Sequence, residues 1–308
     1  MTADTPVLLA IGEALIDVVR RSDGEQAHAG GSPMNVAVGA SRLGVRSALS
    51  TRYGRDELGA LIDTHTAESD VIVTPRSRSA ARTSTATATI GADGAASYVF
   101  DIEWDWSDDI DFVPRAVHTG SIGAVLEPGG EKVLQAITRL RPTSLVTYDP
   151  NSRPALMGAR ADAVAVVEQY VRLADIIKAS DEDLEWLYPE RSPVETARAW
   201  AIMGPAFVVV TAGGSGATVV TSDDSISEHT APTVIVAYTI GAGDSFMAGL
   251  IASLFHRGML DVSHRGALHM LTDETLTSIV NEALQCAAIT VQREGANPPR
   301  LDEVHFGS

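Results

Sequence analysis

The residues Thr239-Ile240-Gly241-Ala242-Gly243-Asp244-Ser245-Phe246 carry the clearest chemistry in this chain. An apolar run, Val234 to Tyr238, reads as a strand before them, and Met247-Ala248-Gly249-Leu250 opens an apolar, helix-like run after them. A helix that starts on Gly-Ala-Gly turns unpaired backbone N–H groups and a positive dipole end into one small space. Glycine lets an anion approach that backbone closely. Asp244 adds a carboxylate in the same place. An anion cradle beside a base is what phosphoryl transfer to a hydroxyl group requires.

The composition narrows the partners. A formal charge of −17 over 308 residues disfavours nucleic acid and anionic membranes, which reward clustered Lys and Arg. The bland account of this charge is solubility. Lys132 and Lys178 are the only lysines. Neither precedes Ser or Thr in a glycine loop, so a Walker-type phosphate loop is excluded. Phosphate is expected to rest on backbone amides, arginine and metal ions. The single cysteine, Cys286, lies in an apolar helical stretch and reads as a buried, inert thiol, in keeping with a reducing cytoplasm. No basic segment precedes Val7–Ile11, and no apolar run reaches membrane-spanning length. The eight histidines show no paired metal spacing.

These residues need a scaffold, and the chain's pattern supplies one. Val7–Ile11 reads as a buried strand and Leu15–Arg20 as a second, closed by the turn Ser22-Asp23-Gly24. Ser32 reads as the cap of a helix whose first position is Pro33 and whose stop is Gly44. That places Asn35 in the first turn, beside Gly30-Gly31. Thr83–Ile90 and Ala96–Asp101 flank Gly91-Ala92-Asp93-Gly94 as a hairpin. Beyond it, strand-like runs at 145–148, 176–178, 207–211 and 217–221 alternate with helical patterns at 131–140, 162–173, 181–187 and 194–203. That alternation predicts βαβ units on a mostly parallel sheet with helices on both faces. The expected architecture is one α/β domain over 1–308 with a small β-rich appendage from about 13–32 and 83–104.

Several blocks, in order along nearly the whole chain, resemble the ribokinase-like carbohydrate kinases, the PfkB superfamily. They are Gly30-Gly31-Ser32-Pro33-Met34-Asn35, Tyr53-Gly54-Arg55-Asp56, Asp149-Pro150-Asn151-Ser152-Arg153, Lys178 to Asp183, Thr211 to Gly216, and Gly241 to Asp244. The resemblance implies a Rossmann-type sandwich with a β-sheet lid, using ATP with Mg2+. It implies that Asp17, Gly30, Gly31 and Asn35 bind sugar hydroxyls, with Arg153 as a candidate partner for a substrate carboxylate. Asp244 would act as base, with Gly241, Ala242 and Gly243 stabilising the transferring group. Ser180, Thr211, Gly213, Gly216 and Gly243 would contact the nucleotide, and Asp183 would orient Mg2+ through water.

Two departures from the family pattern bear on detail. Tyr238 stands where relatives commonly place the Asp that helps bind an activating monovalent cation, so weak or absent K+ activation is expected. Asp183 replaces the usual Glu, one methylene shorter. The motif Gly12 to Asp17 and the Asp149 to Arg153 block are most similar to fructokinases and 2-keto-3-deoxygluconate kinases. Without a cation in the Gly30 to Asn35 block, an unphosphorylated sugar is expected, fructose ahead of the keto acid. Relatives often dimerise through their lids, and the appendage permits that here.

Blander readings stand beside these. Gly30-Gly31 also fits a tight turn, Thr211–Gly216 a plain hairpin, and Ser180 with Asp181 a helix cap. Trp104 and Trp106 read as packing residues. Gly243-Asp244-Ser245 with a late His305 mimics GDS-type esterases, but about 60 residues after Ser245 are too few for that domain. A non-catalytic sugar sensor is the remaining alternative, and an intact Asp244 speaks against it.

Overall fold

A computed structural model describes residues 5–21, 24–90, 96–108 and 110–307. The expected turn residues Ser22, Asp23 and Gly91 to Gly94 lie outside the described residues. In chain order, β1 (Leu8–Ile11), β2 (Leu15–Arg21) and β3 (Gly24–Gly30) lead into α1 (Ser32–Arg42). Then come β4 (Ser47–Ser50), α2 (Glu57–Ala67), β5 (Ile72–Val73), β6 (Thr85–Ile90) and β7 (Ala96–Asp101). The middle of the chain alternates: β8 (Ala116–Gly120), α3 (Gly129–Leu140), β9 (Leu145–Asp149), α4 (Arg160–Leu173) and β10 (Ile176–Ser180). It continues through α5 (Asp181–Leu187), α6 (Pro193–Ala201), β11 (Phe207–Thr211), β12 (Ala217–Thr221) and β13 (Ile226–His229). Three helices close it, α7 (Ala242–His256), α8 (Arg265–Leu268) and α9 (Asp273–Thr290).

The main sheet has the order β13-β12-β11-β10-β9-β8-β1-β4-β5. Only β12 pairs antiparallel with its neighbours; the other pairings are parallel. Its inner strands are buried on both faces, which is why they read as short, unbroken apolar runs. Along β1, Leu8 joins a core with α1, α7 and α9, while Leu9 and Ile11 join one with α3, α4, α5 and α6. Trp104 and Trp106 belong to that second core; their indole N–H groups donate to the Gly123 carbonyl (2.9 Å) and Ser50 Oγ (3.0 Å). Cys286 is buried in the first core, and burial pushes its thiol up to about 12. No helix among the described residues is long and apolar enough to cross a membrane.

From β1 the chain passes to β4 on one side and later to β8 on the other. In an open α/β sheet, the carboxyl ends of the strands beside such a reversal form a crevice suited to ligands. A second, four-stranded sheet (β3-β2-β6-β7) arises at this end of β1; β2 pairs parallel with β6 and antiparallel with β3, and β6 pairs antiparallel with β7.

Two expectations are corrected. The run Val234 to Tyr238 is not a strand. It follows the edge strand β13, and Pro232 removes one backbone donor; only the N–H groups of Ala237 and Tyr238 bond, both to the Val291 carbonyl. Ile235 is 88% exposed there. Nor does Ser32 cap α1. Gly31 takes that place at φ 116°, and Ser32 is the first helical residue. A side chain on Gly31 would overlap the Glu13 carbonyl, so the chain can enter the helix this closely only through glycine.

Candidate active site

Five strand ends of the main sheet deliver polar groups to the crevice: Glu13 after β1, Ser121 after β8, Asp149 on β9, Ser180 on β10 and Thr211 on β11. Above them α7 begins at Gly241, which adopts the left-handed conformation (φ 77°) with no side-chain cap. The N–H end of a 15-residue helix therefore faces the crevice. The Ala242 N–H makes only a long bond, 3.3 Å, to the Thr239 carbonyl.

Asp244 sits in the first turn of α7 and is 8% exposed. Both its oxygens are held from α1. Ser32 Oγ donates to Oδ1 at 2.7 Å, and Asn35 Nδ2 donates to Oδ2 at 2.8 Å. Because Gly31 holds the cap position, Ser32 lies one residue into the helix, and its hydroxyl donates to this carboxylate. With its amide nitrogen committed, Asn35 keeps a buried Oδ1 without a partner among the described residues.

Two cavities meet here. The first, about 330 Å3, is lined by Asp17, Gly31, Asn35, Arg153, Gly241 and Asp244, with Glu13 at its base. The second, about 540 Å3, is lined by Lys178, Ser180, Asp183, Thr211, Gly213 and Ala242. Asn151, Thr239 and Gly243 belong to the walls of both. Gly30 lines neither; it lies under the Asp17 carboxylate, where a methyl group would overlap Oδ2. Gly216 also lines neither, because it packs at φ 108° against the His229 carbonyl on β13. Thr211 and Gly213, by contrast, belong both to the β11–β12 hairpin and to the cavity wall.

The first cavity is acidic. Burial pushes the Glu13 carboxyl up to about 7, against the hydrogen bonds it accepts, including 2.8 Å from the Gly123 N–H. Burial pushes Asp17 up to about 6, with Arg153 pulling it down and Asp244 adding to the rise. The one arginine in the wall is partly tied: Arg153 Nη1 donates to Asn151 Oδ1 (2.8 Å) and to the carbonyls of Asn151 and Ser152 (both 3.0 Å).

The second cavity holds the cation that sequence reasoning passed over. Lys178 Nζ lies 2.7 Å from Asp149 Oδ2, both residues buried, and a Cβ on Gly243 would come within 2.8 Å of it. Burial pushes the Asp149 carboxyl up, and the Lys178 ammonium beside it pulls it back. A lysine, rather than an arginine, thus stands by the helix end. The signal was available: strand periodicity puts Lys178 on the same face as Ser180, two residues on. Ser180 caps α5 in a capping box with Asp183, so the structural and functional readings of that segment coincide in place. Asp183 Oδ1 accepts the Ser152 N–H (2.6 Å) and Oδ2 the Ser180 N–H (3.0 Å). Each oxygen retains a second acceptor position. Among the described residues no three carboxylate, imidazole or thiol groups cluster to hold a metal.

The esterase arrangement is absent. Ser245 is buried, donates to the Cys286 carbonyl (3.1 Å) and accepts from Thr290 Oγ1 (2.7 Å). It lines neither cavity, and His305 is exposed on the C-terminal segment.

Comparison with known proteins agrees with this geometry. A fructokinase of Rhizobium leguminosarum bv. trifolii is 32% identical over 267 residues, covering 80% of this chain and 79% of its own length. A fructokinase of Vibrio cholerae O395, solved with fructose, ADP and a potassium ion, superposes with a TM-score of 0.76 at 27% identity, covering 94% of this chain and 93% of that one. A Xylella fastidiosa fructokinase solved with ATP shares the fold (TM-score 0.81, 24% identity, 96% of each chain). The model of the pfkB family of carbohydrate kinases matches residues 6–303. With that match across almost its whole length, this chain belongs to the pfkB family and is a sugar phosphotransferase.

Proposed function

We propose that the chain transfers the γ-phosphoryl group of ATP to a hydroxyl of an unphosphorylated sugar, with fructose as the substrate. The observation that carries this reading is the meeting of the two cavities at Gly243, with Asp244 on the acidic side. The sugar occupies the first cavity. There Asp17 accepts from its hydroxyl groups, and Asn35 Oδ1, a buried acceptor lacking a partner, takes another. ATP occupies the second, with its base against Val234, Val236, Leu284 and Val291 and its phosphates towards Ser180, Thr211, Gly213 and Lys178.

In the reaction the sugar oxygen bonds to the γ-phosphorus as the bridging P–O bond to ADP breaks, and the hydroxyl proton passes to Asp244. Ala242 and Gly243 present their N–H groups, with the positive end of α7, to the charge spread over the transferring oxygens. Mg2+ bound with ATP would supply charge neutralisation across the phosphates, and Asp183 is the residue that would hold it.

Charge argues for a neutral sugar. A substrate carboxylate or phosphate in the first cavity would face Glu13, Asp17 and Asp244, against the single, partly tied Arg153. That disfavours 2-keto-3-deoxygluconate and sugar phosphates. The relatives point the same way: the Rhizobium protein is a fructokinase, and the Vibrio cholerae enzyme was solved with fructose bound. Potassium is a different matter. Tyr238 offers a phenol, 42% exposed, where relatives commonly place an Asp, so we expect weak or absent K+ activation in this chain. The lone buried thiol supports a cytoplasmic place of work.

The test is ADP release from MgATP with fructose, 2-keto-3-deoxygluconate, ribose and fructose 6-phosphate, with and without K+. Fructose turnover indifferent to K+ is the expected result. Turnover confined to the keto acid would move Arg153 to the centre of substrate recognition. Thermal stabilisation by a sugar without ADP release would instead reveal a sensor.

A further inference from the structure

We propose that Ser32 is a positioning residue for Asp244, an inference that rests on the base assignment above. A carboxylate held at one oxygen can turn about its Cβ–Cγ bond; held at both, its plane is set. Asp244 is held at both, by Ser32 Oγ at 2.7 Å and Asn35 Nδ2 at 2.8 Å, and all three side chains are buried. The two donors sit three residues apart on one face of α1, so a single rigid element presents them together. Both residues line the first cavity, and Asn35 keeps an acceptor there without a partner among the described residues, which gives it a second task. The hydroxyl of Ser32 is taken up by Asp244 alone among the described side chains.

The grip leaves room for the reaction. A carboxylate offers about four acceptor positions, so an incoming sugar hydroxyl adds to the two existing bonds without displacing either. Proton transfer is sensitive to this placement, since a misaligned acceptor loses rate without losing affinity. Ser32 also follows directly on Gly31, the one residue between β3 and α1. A single residue therefore joins the small sheet to a group that sets the plane of Asp244.

The test compares Ser32→Ala, Ser32→Thr and Asp244→Ala by coupled ADP release with MgATP and the fastest sugar of the panel. Ser32→Ala is expected to lower kcat about tenfold with sugar and ATP KM within about twofold, and Ser32→Thr, which keeps the hydroxyl, to restore most of that loss. An unchanged kcat in Ser32→Ala would overturn the inference. So would a Thr variant as slow as Ala with both KM values raised, the mark of a merely structural residue. Asp244→Ala separates the two levels. If it is inactive while Ser32→Ala is unaffected, only the role of Ser32 falls. If Asp244→Ala turns over normally, the base assignment falls and takes this inference with it.

Discussion

The two cavities on either side of Gly243 differ in what stands beside their carboxylates. The first, the proposed sugar side, is walled by Glu13, Asp17 and Asp244 with Arg153 beside them, and burial pushes Glu13 and Asp17 upward. The second, the proposed nucleotide side, sets Asp181, Glu182 and Asp183 with Lys178 and adds an apolar wall of Val234, Val236, Leu284, Ala287 and Val291. A polyol has no large apolar face, so it must be recognised by hydrogen bonds that leave buried acceptors unpaired when the wrong ligand enters. A nucleotide base has two such faces and is held by apolar contact. On the proposed function, the difference puts sugar selection on the first side and base binding on the apolar wall of the second, with the chemistry where the two meet.

Gly243 is the point at which that contrast can be broken outright. Gly243→Val places bulk in the shared wall and against Lys178 Nζ, and is expected to remove more than about a thousandfold of turnover and thermal stabilisation by both ligands. Retained turnover would show that the phosphoryl group passes elsewhere. Asp17→Ala sharpens the contrast on one side. The sugar KM should rise roughly ten- to a hundredfold while the ATP KM stays within about twofold, as for the loss of hydrogen bonds to a charged acceptor. An unchanged sugar KM would remove Asp17 from the site.

The smallest effect is one of stability. Burial holds the Glu13 carboxyl at about 7, above its ordinary 4.5, so the folded chain keeps a proton that the unfolded chain releases between those values. The favourable contribution of this group is whole below pH 4.5 and is lost as pH rises through 7. Glu13→Gln, always neutral, should therefore stabilise the ligand-free protein at pH 8 by on the order of 2 kcal/mol and give no gain near pH 4.5. Thermal melts at both pH values would check this. An equal loss at both would mean that the Gly123 hydrogen bond, not charge, governs the position.

Much of this arrangement was legible in the residues, and what escaped did so for physical reasons. Strands β9 to β12 announce themselves as apolar runs because they are buried on both faces. The strand Ser47–Ser50 does not, since two of its four residues are serines buried by the surrounding core. Val234 to Tyr238 misled in the opposite sense: its residues suit a strand, but among the described residues no strand pairs with it. Within the site, Gly241 to Asp244 could be picked out by type and spacing, and Asp17, Asn35 and Arg153 through the resemblance; all of these line the two cavities, whereas Gly30 and Gly216 line neither. Ser32 was not readable, because a serine before a proline-started helix looks like a cap until a carboxylate 212 positions away is brought to its hydroxyl. Lys178 was hidden by its strand, and Glu13 by looking like part of a turn. In each case the missing information was a tertiary neighbour.

The most direct test of the central claim is Asp244→Ala, assayed for ADP release with fructose and MgATP alongside thermal stabilisation by each ligand. The account predicts that kcat falls about a thousandfold while both ligands still stabilise the protein, because binding resides in the two cavities and proton removal in this one carboxylate. Turnover at the wild-type rate, with either ligand bound as before, would contradict it.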